Sequence, residues 1–196
     1  MDIETFALEI YRIGGVKFGE FTLKSGQVSP VYVDLRGLVS HPRALRMAGE
    51  ALVDALRGLE FDRIAGLPYA GLPLAVSASL LGDLPMLYAR KETKEYGTRK
   101  RIEGDYAPGQ TVVLIDDVVT DGGAKLELVE PFLEEGLRVR DFVVLIDREQ
   151  GGAEALRQRG YALRSVFTLR ALLNALRRRD AIPDDLHRRV TEYLGG

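Results

Sequence analysis

The chain of 196 residues contains no cysteine. Disulfides, zinc–thiolate sites and thiol nucleophiles are therefore excluded, and a chain of this length needs no such staples to bury a substantial core as one domain. No apolar run is long enough to cross a membrane, and no signal-like segment opens the chain, so a cytoplasmic protein without membrane contact is expected. An excess of one charge is missing too. Acidic residues number 29 and basic ones 27, for a net charge of −2, which argues against a surface that grips a nucleic-acid backbone throughout. Asn174 is the only asparagine, a scarcity in keeping with a thermophilic source. The signatures G-x-x-x-x-G-K-[ST] and G-x-G-x-x-G are both absent, which removes the usual nucleotide-hydrolase and dinucleotide readings. The histidines, His41 and His187, fit no metal or catalytic constellation. There is no internal repeat, low-complexity tract or interdomain linker.

What is present is an alternation of strands and helices. Ile3, Phe6, Ile10 and Tyr11 at helical spacing predict a first helix ending near Gly14-Gly15, and FGEFTLKSG and SPVYVDLRG read as short strands around a glycine turn. These form a cap-like hood over residues 1–40. From Pro42, suited to a first helical turn, Leu45, Leu52, Val53 and Leu56 mark a second helix. Then RIAGL (63–67), PMLYAR (85–90), TVVLIDD (111–117), FVVLID (142–147) and YALRSVF (161–167) read as strands, with helices from 71, 123 and 151 between them. The pattern predicts an α/β fold: a doubly wound central parallel sheet over residues 41–170, flanked by helices on both faces, with C-terminal helices over 171–196. Hood, core and C-terminal helices together make a single domain, 1–196. Residues 91–108 depart from the alternation. They follow Arg90 with Lys91, Lys94, Arg99, Lys100 and Arg101, interrupted by Glu92 and Glu95, and show no apolar periodicity. Unstructured loops of that length in a domain are usually functional or disordered.

The chemistry concentrates in VVLIDDVVTDGG, Val112 to Gly123. A buried strand ends there in Asp116 and Asp117, and apolar positions resume at Leu126, Val129, Phe132 and Leu133 as a helix; ligands bind open α/β sheets at such junctions. Main-chain N–H groups of Thr120, Asp121, Gly122 and Gly123 would cradle a phosphate monoester. The two carboxylates would accept from the vicinal hydroxyls of a ribose. The same pair equally suits a magnesium-holding acid of a nucleotide hydrolase, or an N-cap with solvated neighbours.

The segment resembles the signature loop of the type I phosphoribosyltransferases, which bind phosphoribosyl pyrophosphate (PRPP). FGEFTLKSGQVSPVYVDLRG, RKETKEYGTRKRIEG and VLIDREQGG narrow the likeness to the orotate phosphoribosyltransferases, including the form found as the amino-terminal half of UMP synthase. The similarity runs from about residue 5 to residue 175, in order and at compatible spacing.

The resemblance implies transfer of the phosphoribosyl group of PRPP to orotate, with Mg2+ carried mainly by PRPP, in a homodimer whose mobile loop 91–108 is shared across the interface. It places Lys24 near pyrophosphate and base, Tyr32 and Val33 beside the orotate ring, and Tyr69 with Ala70 at the pyrophosphate. Arg90, Lys91 and Lys94 engage the pyrophosphate, with Tyr96 in the same loop. Asp116, Asp117, Val118, Val119, Thr120, Asp121, Gly122, Gly123 and Ala124 hold the ribose and its phosphate, Thr120 also touching the base, and Arg148 reads orotate. Lys94, Asp116 and Asp117 are the expected catalytic residues. Three positions depart from the family. Ala70 stands where a lysine is common, Tyr96 where many bacterial members have histidine, and Asp121 brings a carboxylate into a phosphate loop. Its side chain is expected to turn toward the helix N-terminus, where negative charge is favourable. Bland alternatives accompany each assignment: Lys24 as a solvated lysine, the basic loop as a solvated charge run, and Arg148 as a structural partner of Asp147 or Glu149. A purine-type phosphoribosyltransferase would share the 112–124 loop but have little use for KSG and DREQGG. A non-catalytic PRPP-sensing regulator would be expected to carry a DNA-binding extension, which is not seen here.

Overall fold

Why β-branched and aliphatic residues crowd TVVLIDDVV and RVRDFVVLID becomes plain in the sheet they build. The computed structural model describes residues 2–22, 26, 28–90 and 101–195. At its centre is a six-stranded sheet made of β3 (Arg63–Gly66), β4 (Met86–Ala89), β5 (Ile102–Glu103), β6 (Thr111–Val119), β7 (Arg138–Asp147) and β8 (Ala162–Thr168), in the order β5-β4-β3-β6-β7-β8. All neighbours are parallel except β4 and β5. Central strands buried on both faces leave no room for polar residues. Accordingly Val113, Ile115, Val143 and Leu145 pack into one apolar cluster, while Val112, Leu114, Phe142 and Val144 pack into another. Each side chain of that size, fully buried, contributes about 1.5–3 kcal/mol.

Helices cover both faces. On the first lie α2 (Pro42–Leu56) and α3 (Gly71–Gly82), joined to the sheet by Ala44, Ala48, Leu52, Leu74 and Ala78. The expected α2 stripe is displaced: Leu45 and Val53 are only partly buried, because the small residues Ala44, Ala48 and Gly49 let α3 come close. A Cβ at Gly49 would meet Ser77 Oγ at 2.2 Å. On the second face lie α4 (Gly123–Leu126), α5 (Glu130–Glu134) and α6 (Gly152–Gln158), reaching the sheet through Val129, Phe132 and Leu156.

Three expectations are corrected here. The single helix expected from 123 is two short ones, because Pro131, in the first turn of α5, has no N–H to continue the preceding turn. Leu133, expected inside, is exposed. Residues 101–108 are not structureless either. Ile102 is buried in β5 against Ala89, Arg63 Nε donates to Asp105 O, and the Tyr106 hydroxyl reaches Glu135 Oε2 at 2.7 Å. This short antiparallel strand covers an otherwise open sheet edge. Residues 91–100 lie outside the described residues.

The hood consists of α1 (Ile3–Arg12) and the antiparallel pair β1 (Val16–Thr22) and β2 (Val28–Val33), followed by a 3-10 turn, Arg36–Ser40. Asp2 caps α1 by accepting from the Glu4 and Thr5 N–H groups. The buried face of α1, Phe6, Ala7 and Ile10, joins the same apolar cluster as Leu169, Leu172 and Leu176 of α7 (Leu169–Arg178) and Val190 of α8 (Asp184–Tyr193). Chain start and chain end thus meet over the sheet, and β2 meets the end of β7 through Ser29 and Arg148. Among the described residues no helix is long and apolar enough to cross a membrane.

Candidate active site

The carboxyl ends of the parallel strands β3, β6 and β7 lie side by side, and each brings a different chemical group. At the end of β6, Asp116 is 8% exposed. Its Oδ1 accepts from the Asp117 N–H at 2.9 Å, and its Oδ2 lies 2.5 Å from Lys125 Nζ, itself 7% exposed. Asp117 is half-buried, and its Oδ1 accepts from the Val118 N–H at 2.7 Å. Burial, reinforced by the charge of Asp116 and opposed by Lys125, pushes the Asp117 carboxyl up to about 7. Lys125 was not among the residues expected here. Nothing in its position in GAKLE distinguishes it from a solvated helix lysine.

Beyond the strand, Val119 is buried and Thr120 half-buried, and the chain turns through Gly122 at φ 81° into α4. Glycine is required at this turn and across from it. A Cβ on Gly122 would meet Gly152 O at 3.0 Å, and one on Gly152 would meet Val119 Cγ2 at 2.5 Å and Thr120 O at 2.7 Å. The loop therefore rests on the start of α6. The Asp121 carboxylate is exposed and accepts from the Gly123 N–H at 3.0 Å. That N–H, expected to face a phosphate, is thus engaged, whereas the N–H groups of Asp121 and Gly122 make no hydrogen bond among the described residues. The backbone of Ala124 continues α4.

At the end of β7, Arg148 is 5% exposed. Neither alternative partner takes it: Asp147 accepts from the Glu149 N–H, and Glu149 faces Arg170. Among the described residues the guanidinium hydrogen-bonds only to Ser29 Oγ of β2, at 3.4 Å, and its Nε has no partner. Desolvation lowers its pKa from the usual guanidinium value. Tyr32 of β2 and Tyr193 of α8 are both within electrostatic reach of Arg148, and the buried Tyr193 hydroxyl and Gln150 Oε1 are also unpartnered among the described residues. Tyr32 stacks on Phe21 with ring centroids 5.4 Å apart, Val33 follows at the end of β2, and Arg36 lies close enough to feel the charge of Asp117. Ser29 and Tyr193 gave no signal in the sequence, because a serine in a strand and a tyrosine in a terminal helix are ordinary core or surface residues.

At the end of β3, Pro68 and Tyr69 are joined by a cis peptide, Tyr69 is 66% exposed, and Ala70 is buried at the start of α3. Gly71 must be glycine, since a Cβ would meet Ile115 O at 2.4 Å and Asp116 Oδ1 at 3.1 Å. Arg90, at the end of β4, forms an ion pair with Glu103 at 2.9 Å. Lys24, Lys91, Lys94 and Tyr96 lie outside the described residues.

The acid pair and the open N–H groups come from the end of β6, the buried guanidinium from the end of β7, and its Ser29 contact from the hood, so only the folded chain assembles them. No family model matches the chain. It is 44% identical over 187 residues to the uridine 5'-monophosphate synthase of Bos taurus, covering 94% of this chain and 39% of that protein. It is 44% identical over 178 residues to the orotate phosphoribosyltransferase of Methanopyrus kandleri, covering 89% of this chain and 96% of that protein. Among solved structures, the Leishmania donovani UMP synthase superposes with a TM-score of 0.92 at 39% identity, over 100% of this chain and 42% of that one. The chain thus spans about two fifths of the length of the synthases it matches, and nearly all of the shorter relative.

Proposed function

The chain belongs to the orotate phosphoribosyltransferase family, and on that premise we propose that it joins orotate to PRPP with magnesium, giving orotidine 5'-monophosphate and pyrophosphate, a step of pyrimidine biosynthesis. The observation that carries this reading is Arg148, a buried cation that pairs with no carboxylate among the described residues. Orotate differs from the common bases in bearing a carboxylate. A planar guanidinium matches that group, and Tyr32 supports the ring beside it. A purine base offers Arg148 no such partner.

The transfer asks for little covalent help. The bond from the anomeric carbon to pyrophosphate breaks as a ring nitrogen of orotate bonds to that carbon, so positive charge grows on the ribose and negative charge on the leaving group. The protein must align two reactants and neutralise pyrophosphate. In this proposal Asp117, beside Asp116, fixes the ribose and stabilises its developing charge, and the loop from Val118 to Ala124 takes the 5'-phosphate on the N–H groups of Asp121 and Gly122. Tyr69 and Ala70 border the pyrophosphate, and Arg90, Lys91 and Lys94 neutralise it, with Lys24 between pyrophosphate and base. Among the described residues no group of three or more His, Cys, Asp or Glu side chains is arranged to hold a metal. A magnesium ion ligated by pyrophosphate oxygens and water needs no such cage. Bound there, it withdraws charge from the leaving group. The protein acts in this proposal as a homodimer, with Lys94 and Tyr96 reaching the partner's site. Support comes from Val76, Leu80 and Leu81 on α3, apolar and exposed, Leu80 at 81%, a surface that a second copy would cover. The test is loss of orotate absorbance on adding PRPP and magnesium, with uracil, adenine and hypoxanthine as controls. Turnover of orotate alone is expected, and use of a purine instead would overturn the reading.

A further inference from the structure

Asp116, Asp117 and Asp121 crowd the loop to which PRPP would bring still more negative charge. Asp121 is exposed and its charge is screened by water; Asp116 is buried, and its charge acts through protein. The side chain that meets it is Lys125. It leaves α4 just past the glycine turn, and its Nζ sits on Asp116 Oδ2. The other oxygen of Asp116 holds the Asp117 N–H, and it packs so close to Gly71 at the start of α3 that a Cβ there would come within 3.1 Å of it. Both oxygens of Asp116 are therefore already held by groups of its own chain. Asp117 differs: its Oδ1 takes the adjacent Val118 N–H, its side chain otherwise meets the Asp116 carboxyl, and it forms no ion pair among the described residues. A buried ion pair is weak evidence for stability, since desolvation offsets the attraction. Its position beneath a loop that receives phosphate gives it a different use.

We infer that Lys125 is a positioning residue that pins Asp116 and cancels its charge, so that the loop above can accept an anionic phosphate and Asp117 is the acid left to face the ribose. The inference rests on the phosphoribosyl-transfer reading. It makes the two adjacent acids unequal, one a buried anchor and the other a ligand for substrate. Losing Lys125 leaves one uncompensated unit charge several ångströms from the phosphate. At an effective dielectric of about 20 that weakens PRPP binding on the order of 10–10²-fold.

The test uses calorimetric titration of PRPP with magnesium into the wild type, Lys125→Met and the double variant Lys125→Met/Asp116→Asn, with the Michaelis constant for orotate at saturating PRPP and thermal unfolding of each. Lys125→Met is expected to lose PRPP affinity on that scale while the orotate constant changes less than about threefold. The double variant, which removes the stranded carboxylate, is expected to recover both thermal stability and most of the PRPP affinity. It also keeps the test decisive should the single variant fail to fold. Unchanged PRPP affinity in Lys125→Met, an equal loss for both substrates, or a double variant with recovered stability but weak PRPP binding would overturn the inference; the last would make Asp116 a direct ribose ligand. If the wild type itself failed to bind PRPP, the phosphoribosyl-transfer reading would fall, which is a separate outcome.

Discussion

A buried arginine without a counter-charge costs the free protein stability, because desolvation is not offset by a partner. Among the described residues Arg148 is in that position, with a single long hydrogen bond to Ser29 Oγ. Its retention makes sense if a ligand supplies the anion. Arg148→Met keeps the volume and removes the charge, so the ligand-free protein is expected to unfold at the same or a higher temperature. The Michaelis constant for orotate is expected to rise on the order of 10²-fold, the scale on which losing one partner of a buried charge pair weakens binding, while that for PRPP barely moves. A marked fall in unfolding temperature with equal losses for both substrates would make Arg148 a structural residue instead.

The elements matter through how closely they approach. The 119–123 loop owes its shape to the start of α6, where Gly152 leaves no space for a methyl group against Val119 and Thr120 O. Backbone oxygen cannot step aside as the end of a flexible side chain can. Gly152→Ala is therefore expected to force α6 away from the loop, at a cost of about 1–3 kcal/mol, seen as a fall of roughly 2–10 °C in unfolding temperature. PRPP affinity should fall with it, because the N–H groups of Asp121 and Gly122 lose their support. Gly37→Ala, where nothing lies within 4 Å of the added carbon, is the control and should leave the unfolding temperature nearly unchanged. Equal unfolding temperatures for the two variants would show that the contact between α6 and the loop is slack.

At the scale of the whole molecule, the proposed homodimer makes each site a joint product of two chains. If Lys94 serves the partner's site, Lys94→Ala and Asp117→Asn homodimers are each nearly inactive, the first by on the order of 10²–10³ in turnover. After subunit exchange about half of the dimers are mixed, and each mixed dimer has one site with both residues intact. Activity should then return to roughly a quarter of wild type per subunit. A mixture as inactive as its components, with exchange verified by mass, would assign Lys94 to its own chain.

Unbroken apolar runs in Val112–Ile115 and Phe142–Leu145 were enough to predict a sheet buried on both faces, since burial on two sides admits no polar position. The acid pair at the end of β6, the glycines after it and Arg148 at the end of β7 were legible as well, because a strand end followed by turn residues is a local signal. The division of helix at Pro131 and the packing of Ile102 and Tyr106 on the sheet edge were misread from local pattern, the first overridden by a missing N–H and the second by an edge that needed cover. Lys125 under Asp116, Ser29 and Tyr193 around Arg148, and Arg36 near Asp117 were decided by tertiary structure alone. Their meaning lies in side chains that meet across as many as 119 residues of sequence. No local periodicity records which buried charge finds a partner in its own chain and which one is left for a ligand.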